Sequence, residues 1–242
     1  MKHIDFIVDR NKLKGTLVFP EKLKQKNPAI LFIHGWASKR ERNYQYAKSL
    51  AKLGYISFLF DMRGHGDSEG NIHTATTKEF LDDVLAAYDY LVNVVGVDKE
   101  SIVVVGSSFG GYLAALLAAR RNVKRLVLRV PADYPKDAFN KPKMQTSGSG
   151  NPDVFAWRKQ PRNPGETFAL TAIADFNGKI LIIESEKDDA VPHETVQNYA
   201  NAVKDKSRLI HIVMRNAPHS IKEGPFRDEV EKILVGWFKK KL

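Results

Sequence analysis

The sequence of 242 residues contains no cysteine. This absence excludes disulfide bonds, thiolate metal ligands and a cysteine nucleophile. Long hydrophobic runs are also missing: the apolar runs at residues 29–33 and 102–105 are far shorter than the roughly 20 residues of a membrane-spanning helix. Residues 1–6 lack the apolar core of about 7 to 15 residues that a secretory signal contains. We therefore expect a cytoplasmic protein with no stable membrane insertion.

The charge is unbalanced, with 38 basic residues against 28 acidic ones and a formal net charge of +10. A basic protein can bind nucleic acid or anionic surfaces. Here the basic residues are spread along the whole chain, and no aromatic residues alternate with the short basic runs at 22–26 and 39–42 to form a stacking platform. The pattern predicts a solvated basic surface and no nucleic-acid partner.

The length predicts a single domain over residues 1–242, because α/β folds often use about 200 to 250 residues for one domain. Short runs rich in β-branched and aromatic residues alternate with helical stretches, which is typical of a mostly parallel sheet covered by helices. We predict an α/β fold of about eight strands, at residues 3–9, 13–19, 29–33, 55–60, 101–105, 124–130, 179–185 and 208–214.

Residues 131–175 interrupt this alternation and contain six prolines. So long a stretch is unusual as a plain connection in a compact domain and is typical of a lid or binding loop. We predict a short lid or cap insertion within the single domain. Its aromatic residues, Phe155 and Trp157 among them, could line a substrate pocket, or they could simply cover the sheet; both alternatives stay open.

The motif with the clearest chemistry is Gly-Ser-Ser-Phe-Gly at residues 106–110, which matches G-x-S-x-G. It follows an apolar strand and opens a helix, the context in which this pattern holds a nucleophilic serine on a sharp turn. Small residues must stand two positions before and after that serine. Ser107 would have Val105 and Phe109 in those places, whereas Ser108 has glycines, so Ser108 is the candidate nucleophile.

Four further segments occur along the chain, two before and two after the serine motif: Phe-Ile-His-Gly-Trp at 32–36, Asp-Met-Arg-Gly-His-Gly-Asp-Ser at 61–68, Glu-Ser-Glu-Lys-Asp-Asp-Ala-Val-Pro at 184–192 and Asn-Ala-Pro-His-Ser at 216–220. Together with the serine motif they make the chain resemble the α/β-hydrolase superfamily along nearly its whole length. The resemblance implies an oxyanion hole formed by the backbone N–H groups of Trp36 and Phe109, with His34 lining the pocket. The second segment is similar to the family's G-H-G-x-S turn, which we interpret as structural.

The same resemblance assigns the remaining catalytic groups. The family's acid lies three residues before a Val-Pro pair, which is the position of Asp188. Asp189 and Asp133 are competing candidates, the latter because some lipases carry the acid after the sixth strand. The loop with His219 is similar to the family's catalytic histidine loop, and the order serine, aspartate, histidine is the one this fold uses.

The chemistry expected of these groups is acyl transfer. Ser108 needs an adjacent base, His219 can take and return a proton near neutral pH, and Asp188 would orient the imidazole. We predict no metal site and no cofactor, since no H-E-x-x-H pattern occurs.

The resemblance extends to intracellular carboxylesterases of the cinnamoyl and feruloyl esterase type and to the serine aminopeptidase and acylglycerol lipase branch. We therefore expect a serine hydrolase that cleaves small-molecule carboxylic esters of small to medium acyl or aryl acids. A peptidase or a thioesterase uses the same triad, and a non-catalytic binding protein of the same fold is a further alternative. The sequence does not decide between a monomer and a homodimer.

Overall fold

The computed structural model describes residues 1–146 and 152–239. The predicted α/β architecture is confirmed: over these residues one eight-stranded sheet is flanked by seven α-helices. The strands are β1 (Lys2–Val8), β2 (Asn11–Val18), β3 (Asn27–Ile33), β4 (Ile56–Phe60), β5 (Val97–Ser107), β6 (Arg125–Arg129), β7 (Lys179–Lys187) and β8 (Leu209–Pro218). The helices are α1 (Tyr44–Ala51), α2 (Thr77–Val92), α3 (Phe109–Ala118), α4 (Pro152–Arg158), α5 (Phe168–Asp175), α6 (His193–Ala202) and α7 (Pro225–Phe238).

The strand order is β1-β2-β4-β3-β5-β6-β7-β8, and only β2 runs antiparallel to its neighbours. The first two strands form a hairpin in which Val8 pairs with Asn11 across the loop residues Asp9 and Arg10. Both loop residues have positive φ, 47° and 70°, as the two-residue turn that matches the twist of a hairpin requires. The remaining strands are parallel, so their carboxyl ends meet at one edge of the sheet.

The core lies on both faces of the sheet because successive side chains of a strand point to opposite sides. In β3, Ala29, Leu31 and Ile33 belong to one apolar cluster, and Ile30 and Phe32 belong to the other. All five side chains are buried. Burial on both faces explains why this strand is a continuous apolar run rather than an alternating one.

Helix α2 shows how the local sequence fixes an element. The Oγ1 atom of Thr76 accepts a hydrogen bond from the backbone N–H of Glu79, and the Glu79 carboxylate accepts from the backbone N–H of Thr76. This reciprocal capping satisfies two N–H groups that the first turn of a helix leaves free. Behind the cap, the apolar stripe of the helix packs into the core.

The insertion at residues 131–175 contains short 3-10 turns at Lys136–Ala138 and Lys143–Thr146, followed by α4 and α5. Residues 147–151 of this predicted insertion lie outside the described part of the chain. Helix α5 packs against α3 and α6, and Thr167 caps its first turn by accepting from the N–H of Leu170. Within residues 1–146 and 152–239, no helix has the length and apolarity needed to cross a membrane.

Candidate active site

Ser108 lies on a tight turn between β5 and α3, with φ 54° and ψ −118°. Such a backbone conformation is unusual for a residue with a side chain and is held only where its surroundings fix it. The two flanking glycines show how close those surroundings are. A Cβ on Gly106 would lie 2.3 Å from the carbonyl oxygen of Gly110, and one on Gly110 would lie 2.3 Å from that of Ile33. The G-x-S-x-G spacing therefore has a steric cause.

His219 follows β8, and its Nδ1 atom lies 2.7 Å from Oδ2 of Asp188, which follows β7. The other carboxylate oxygen of Asp188 accepts hydrogen bonds from the backbone N–H groups of Ala190 (2.9 Å) and Val191 (2.7 Å). Three donors thus fix the orientation of this carboxylate. Asp188 is largely buried, with 3% of its side chain exposed, as a group that orients an imidazole would be.

The two competing carboxylates lie in other surroundings. Asp189 is exposed to solvent. Asp133 is buried, accepts from the N–H of Tyr134 and lies near Thr167, and burial raises the pKa of its carboxyl to about 7. The carboxylate that meets His219 is that of Asp188.

Arg129, the last residue of β6, is a site residue that our reading of the sequence missed. Its Nε–H group donates to Oγ of Ser107 at 3.0 Å, and its Nη1 and Nη2 groups both donate to the backbone oxygen of His219 at 3.1 Å. These bonds tie the histidine loop to the turn that carries Ser108. The sequence feature that could have indicated this residue is a charged side chain near the carboxyl end of an otherwise apolar strand.

The loop after β3 lies against this turn. A Cβ on Gly35 would lie 3.2 Å from the backbone oxygen of Ser107, and Ala37 has a positive φ of 53°. The backbone N–H groups of Trp36 and Phe109, predicted as oxyanion donors, have no acceptor among the described residues. The second belongs to the first turn of a helix, whose N–H groups have no partner within the helix.

Two histidines hold this loop in place. His34 donates from Nδ1 to the oxygen of Gly35 at 2.8 Å and accepts at Nε2 from the N–H of Met62 at 3.1 Å. His65 accepts at Nε2 from the N–H of Ala37 at 3.2 Å. Burial lowers the pKa of His34 to about 3 and also lowers that of His65. Both rings are therefore neutral near pH 7 and act as fixed hydrogen-bonding supports.

A cavity of about 150 Å³ opens at this edge of the sheet. Ser108 and His219 both line it, as do His34 and Trp36. No hydrogen bond joins the side chains of Ser108 and His219 in the described residues, a separation common before substrate binds. The predicted pocket residues Phe155 and Trp157 lie on α4. The ammonium group of Lys159 lies over the ring of Phe155, and the guanidinium of Arg162 lies over that of Trp157. Neither aromatic residue is among the described residues that line this cavity.

The insertion reaches the loop after β3 through Lys143. This side chain is 1% exposed, and its Nζ atom lies 4.8 Å from the ring centre of Trp36, 5.1 Å from that of Phe109 and 4.5 Å from that of Tyr134. Burial, aided by the nearby Arg158 guanidinium, lowers the pKa of Lys143 to about 7. A lysine from the insertion therefore packs on the side chains of both predicted oxyanion residues.

Three carboxylates outside the cavity lie close enough together to suggest a cation site: Glu41, Asp61 and Asp67. The guanidinium of Arg40 already pairs with Asp61 and with Asp67, the latter at 2.8 Å, and lies 3.6 Å from Glu41. The cluster is an ion-pair network, buried at Asp61 and exposed at Asp67, in which arginine supplies the positive charge.

Similarity to known proteins indicates the family and the fold of the chain. Residues 24–160, more than half of the chain, match the family described as serine aminopeptidase, S33. The chain is 26% identical over 227 residues to the mitochondrial palmitoyl-protein thioesterase ABHD10 of Bos taurus, covering 84% of this chain and 70% of that protein.

Solved structures share the fold. Est1E from Butyrivibrio proteoclasticus, with ferulic acid bound, has a TM-score of 0.76 at 19% identity and covers 98% of both chains. The esterase Pf2001 of Pyrococcus furiosus has a TM-score of 0.72 at 21% identity, over 99% of this chain and 92% of that one. At these identities the likeness establishes the α/β-hydrolase fold alone.

Proposed function

The chain belongs to the serine aminopeptidase family of α/β-hydrolases, and from this we propose that it cleaves carboxylic esters of small to medium acyl or aryl acids through Ser108, His219 and Asp188. The observation that carries the proposal is the 2.7 Å bond between His219 and Asp188 beside the strained turn of Ser108. Along the chain, Ser108, Asp188 and His219 follow in the order serine, acid, histidine that the α/β-hydrolase fold uses.

In the proposed reaction, Oγ of Ser108 attacks the acyl carbon while Nε2 of His219 takes its proton. His219 returns that proton to the departing alcohol, which leaves an acyl group on Ser108. Water, deprotonated by His219, then attacks the acyl carbon and releases the acid. The developing negative charge on the carbonyl oxygen would be stabilised by the N–H groups of Trp36 and Phe109, which have no acceptor among the described residues.

The size of the cavity favours small acyl groups. Its volume of about 150 Å³ is close to that of an apolar cavity known to admit benzene, which is about 150 Å³. A long fatty acyl chain would have to extend beyond this cavity. We therefore expect the rate to fall steeply once the acyl chain exceeds a few carbons.

A thioesterase is the second candidate, because the relative from Bos taurus is named a palmitoyl-protein thioesterase. The same triad cleaves thioesters through the same acyl-enzyme. Comparing a short-chain thioester with its oxygen ester and with an aminoacyl amide distinguishes the candidates. The esterase assignment fails if the amide or the thioester is cleaved far better than the ester.

The test of the proposal is hydrolysis of a p-nitrophenyl ester series, from acetate to long-chain acyl, together with one aryl-acid methyl ester. Ser108→Ala is the blank, and a fluorophosphonate probe with peptide mapping locates the labelled serine. We expect labelling on Ser108 rather than Ser107 and turnover that disappears in the blank. A non-catalytic binding protein would give neither label nor turnover.

The remaining expectations concern partners and location. Serine chemistry of this kind needs neither a metal ion nor a cofactor, because the side chains supply the nucleophile and move the proton. We propose a cytoplasmic enzyme that acts on a small molecule, without nucleic acid or membrane insertion, as a monomer or a homodimer.

A further inference from the structure

The wall of the cavity beside Ser108 carries two guanidinium groups. Arg129 comes from the end of β6, and Arg42 comes from the 3-10 turn Arg40–Asn43 that precedes α1. Among the described residues that line the cavity, none is an aspartate or a glutamate. The side of the cavity next to the candidate nucleophile is therefore positively charged.

The hydrogen bonds of Arg129 do not neutralise it. Its three hydrogen bonds go to two uncharged acceptors: one to the hydroxyl of Ser107 and two to the backbone oxygen of His219. A guanidinium has five N–H groups in a fixed fork, so two are left for another acceptor. Within residues 1–146 and 152–239, no carboxylate forms an ion pair with Arg129, an uncommon situation for a cation that is not fully exposed.

Arg42 adds a second uncompensated charge. Its side chain is half-buried, and neither a hydrogen bond nor an ion pair of its guanidinium occurs within the described residues. Burial lowers the pKa of Arg129, and the Arg42 charge lowers it further, whereas Tyr46 and Asp188 partly offset these effects. The carboxylate of Asp188 is already engaged by His219 and two backbone N–H groups. Two like charges thus face one small space.

We propose that Arg42 and Arg129 bind a carboxylate carried by the substrate, so that the preferred substrates are esters with a negatively charged group a few bonds from the ester carbonyl. This inference rests on the proposed ester hydrolysis. Arginine suits the role because its planar fork can give two parallel hydrogen bonds to a carboxylate. The apolar side chains of Val127 and Ile183, which also line the cavity, can pack against the methylene groups between carboxylate and ester.

The experiment compares charged esters with neutral ones of the same shape. Monoethyl glutarate and ethyl glutaramate place a carboxylate or a carboxamide on the acyl side. Butyrylglycolate and butyrylglycolamide place the same groups on the alcohol side. Acid release is followed in a pH-stat, and kcat and KM are obtained for each ester. The quantity of interest is the ratio of kcat/KM for the charged ester to that for its neutral partner.

Three variants accompany the wild type. Arg42→Gln removes one charge from the wall, Arg42→Lys keeps the charge but loses the fork, and Lys48→Gln removes an exposed charge from α1 that does not line the cavity. We expect kcat/KM of the wild type to be about 10- to 100-fold higher for the charged ester in at least one pair, because hydrogen bonds to charged groups contribute free energy of that order. Arg42→Gln should remove most of this preference through KM, Arg42→Lys should keep part of it, and Lys48→Gln should leave it unchanged.

A ratio of one or less in both pairs for the wild type overturns the inference, as does an equal effect of Arg42→Gln and Lys48→Gln. If no ester of any kind is hydrolysed, the proposed ester hydrolysis fails. The proposed carboxylate site is then tested by a binding measurement that needs no turnover. Monoethyl glutarate and ethyl glutaramate are then titrated calorimetrically into Ser108→Ala, with and without Arg42→Gln. Tighter binding of the anion that is lost in the double variant supports the site; equal or absent binding of both overturns it.

Discussion

Replacing Asp188 with asparagine tests the proposed triad most directly, because the structure predicts how the new side chain will turn. One carboxylate oxygen accepts from the N–H groups of Ala190 and Val191, and the other faces Nδ1 of His219. An amide has only one oxygen. The two backbone donors should hold that oxygen, so the amide NH2 group will point at the imidazole.

The magnitude follows from the tautomer that this amide imposes. Nδ1 of His219 must then accept a hydrogen bond, which places the ring proton on Nε2, the atom that has to receive the proton of Ser108. The same loss of the productive tautomer in a serine protease costs about 10⁴ in kcat, equivalent to about 5 kcal/mol of activation free energy. We expect a loss of that order here, with the melting temperature little changed.

The assay is kcat for a short p-nitrophenyl ester, with Asp189→Asn as the matched control. Asp189 is the adjacent, exposed carboxylate, so its replacement should leave kcat within a few-fold of the wild type. A loss of less than about 10-fold in Asp188→Asn, against about 10⁴ expected, would refute the reasoning. So would an equally damaging effect of Asp189→Asn.

Three further predictions concern stability. Gly110→Ala should lower the Tm strongly, because its Cβ would lie 2.3 Å and 2.5 Å from two backbone oxygens at the end of β3. The control is Gly236→Ala in α7, whose Cβ would have no atom within 4 Å; it should stabilise the helix by about 0.5–1 kcal/mol. The pKa of Lys143 falls from 10.5 to about 7 on burial. Between these pH values the lysine is protonated in the unfolded chain and neutral in the folded chain, so the free energy of unfolding should rise with pH. Lys143→Met should reduce that rise, as measured by urea unfolding. Arg63→Met should lower the free energy of unfolding in urea by about 3–5 kcal/mol, because it leaves the buried Asp83 carboxylate without its cation. Adding Asp83→Leu should restore much of that free energy.

Each of these predictions has an opposing result. An unchanged Tm for Gly110→Ala would contradict the packing argument around the nucleophile turn. An equal rise of stability with pH in Lys143→Met and wild type would mean that other groups cause it. A loss below about 1 kcal/mol for Arg63→Met would place that ion pair among the weak, solvent-screened ones.

The sequence alone was sufficient for the α/β class and the number of strands, because these depend on local patterns. Apolar runs such as residues 29–33 mark strands buried on both faces. The position of Ser108 is also a local matter, since the glycine spacing is imposed by contacts within one turn. The ends of elements were less predictable. The predicted strand 101–105 is extended to Val97–Ser107, because pairing with β3 and β6 continues beyond the apolar residues.

The family resemblance favoured Asp188 as the acid, but only the tertiary structure decided the contact between its carboxylate and His219 and the surroundings of Ser108. Asp133, Asp188 and Asp189 are chemically identical in sequence, and the sheet alone brings one of them within 2.7 Å of the imidazole. The bonds of Arg129 to the histidine loop, the support of Ala37 by His65 and the packing of Lys143 on aromatic rings join residues that are far apart along the chain. Such contacts leave no local periodicity, because they arise only when parallel strands place their carboxyl ends at the same edge.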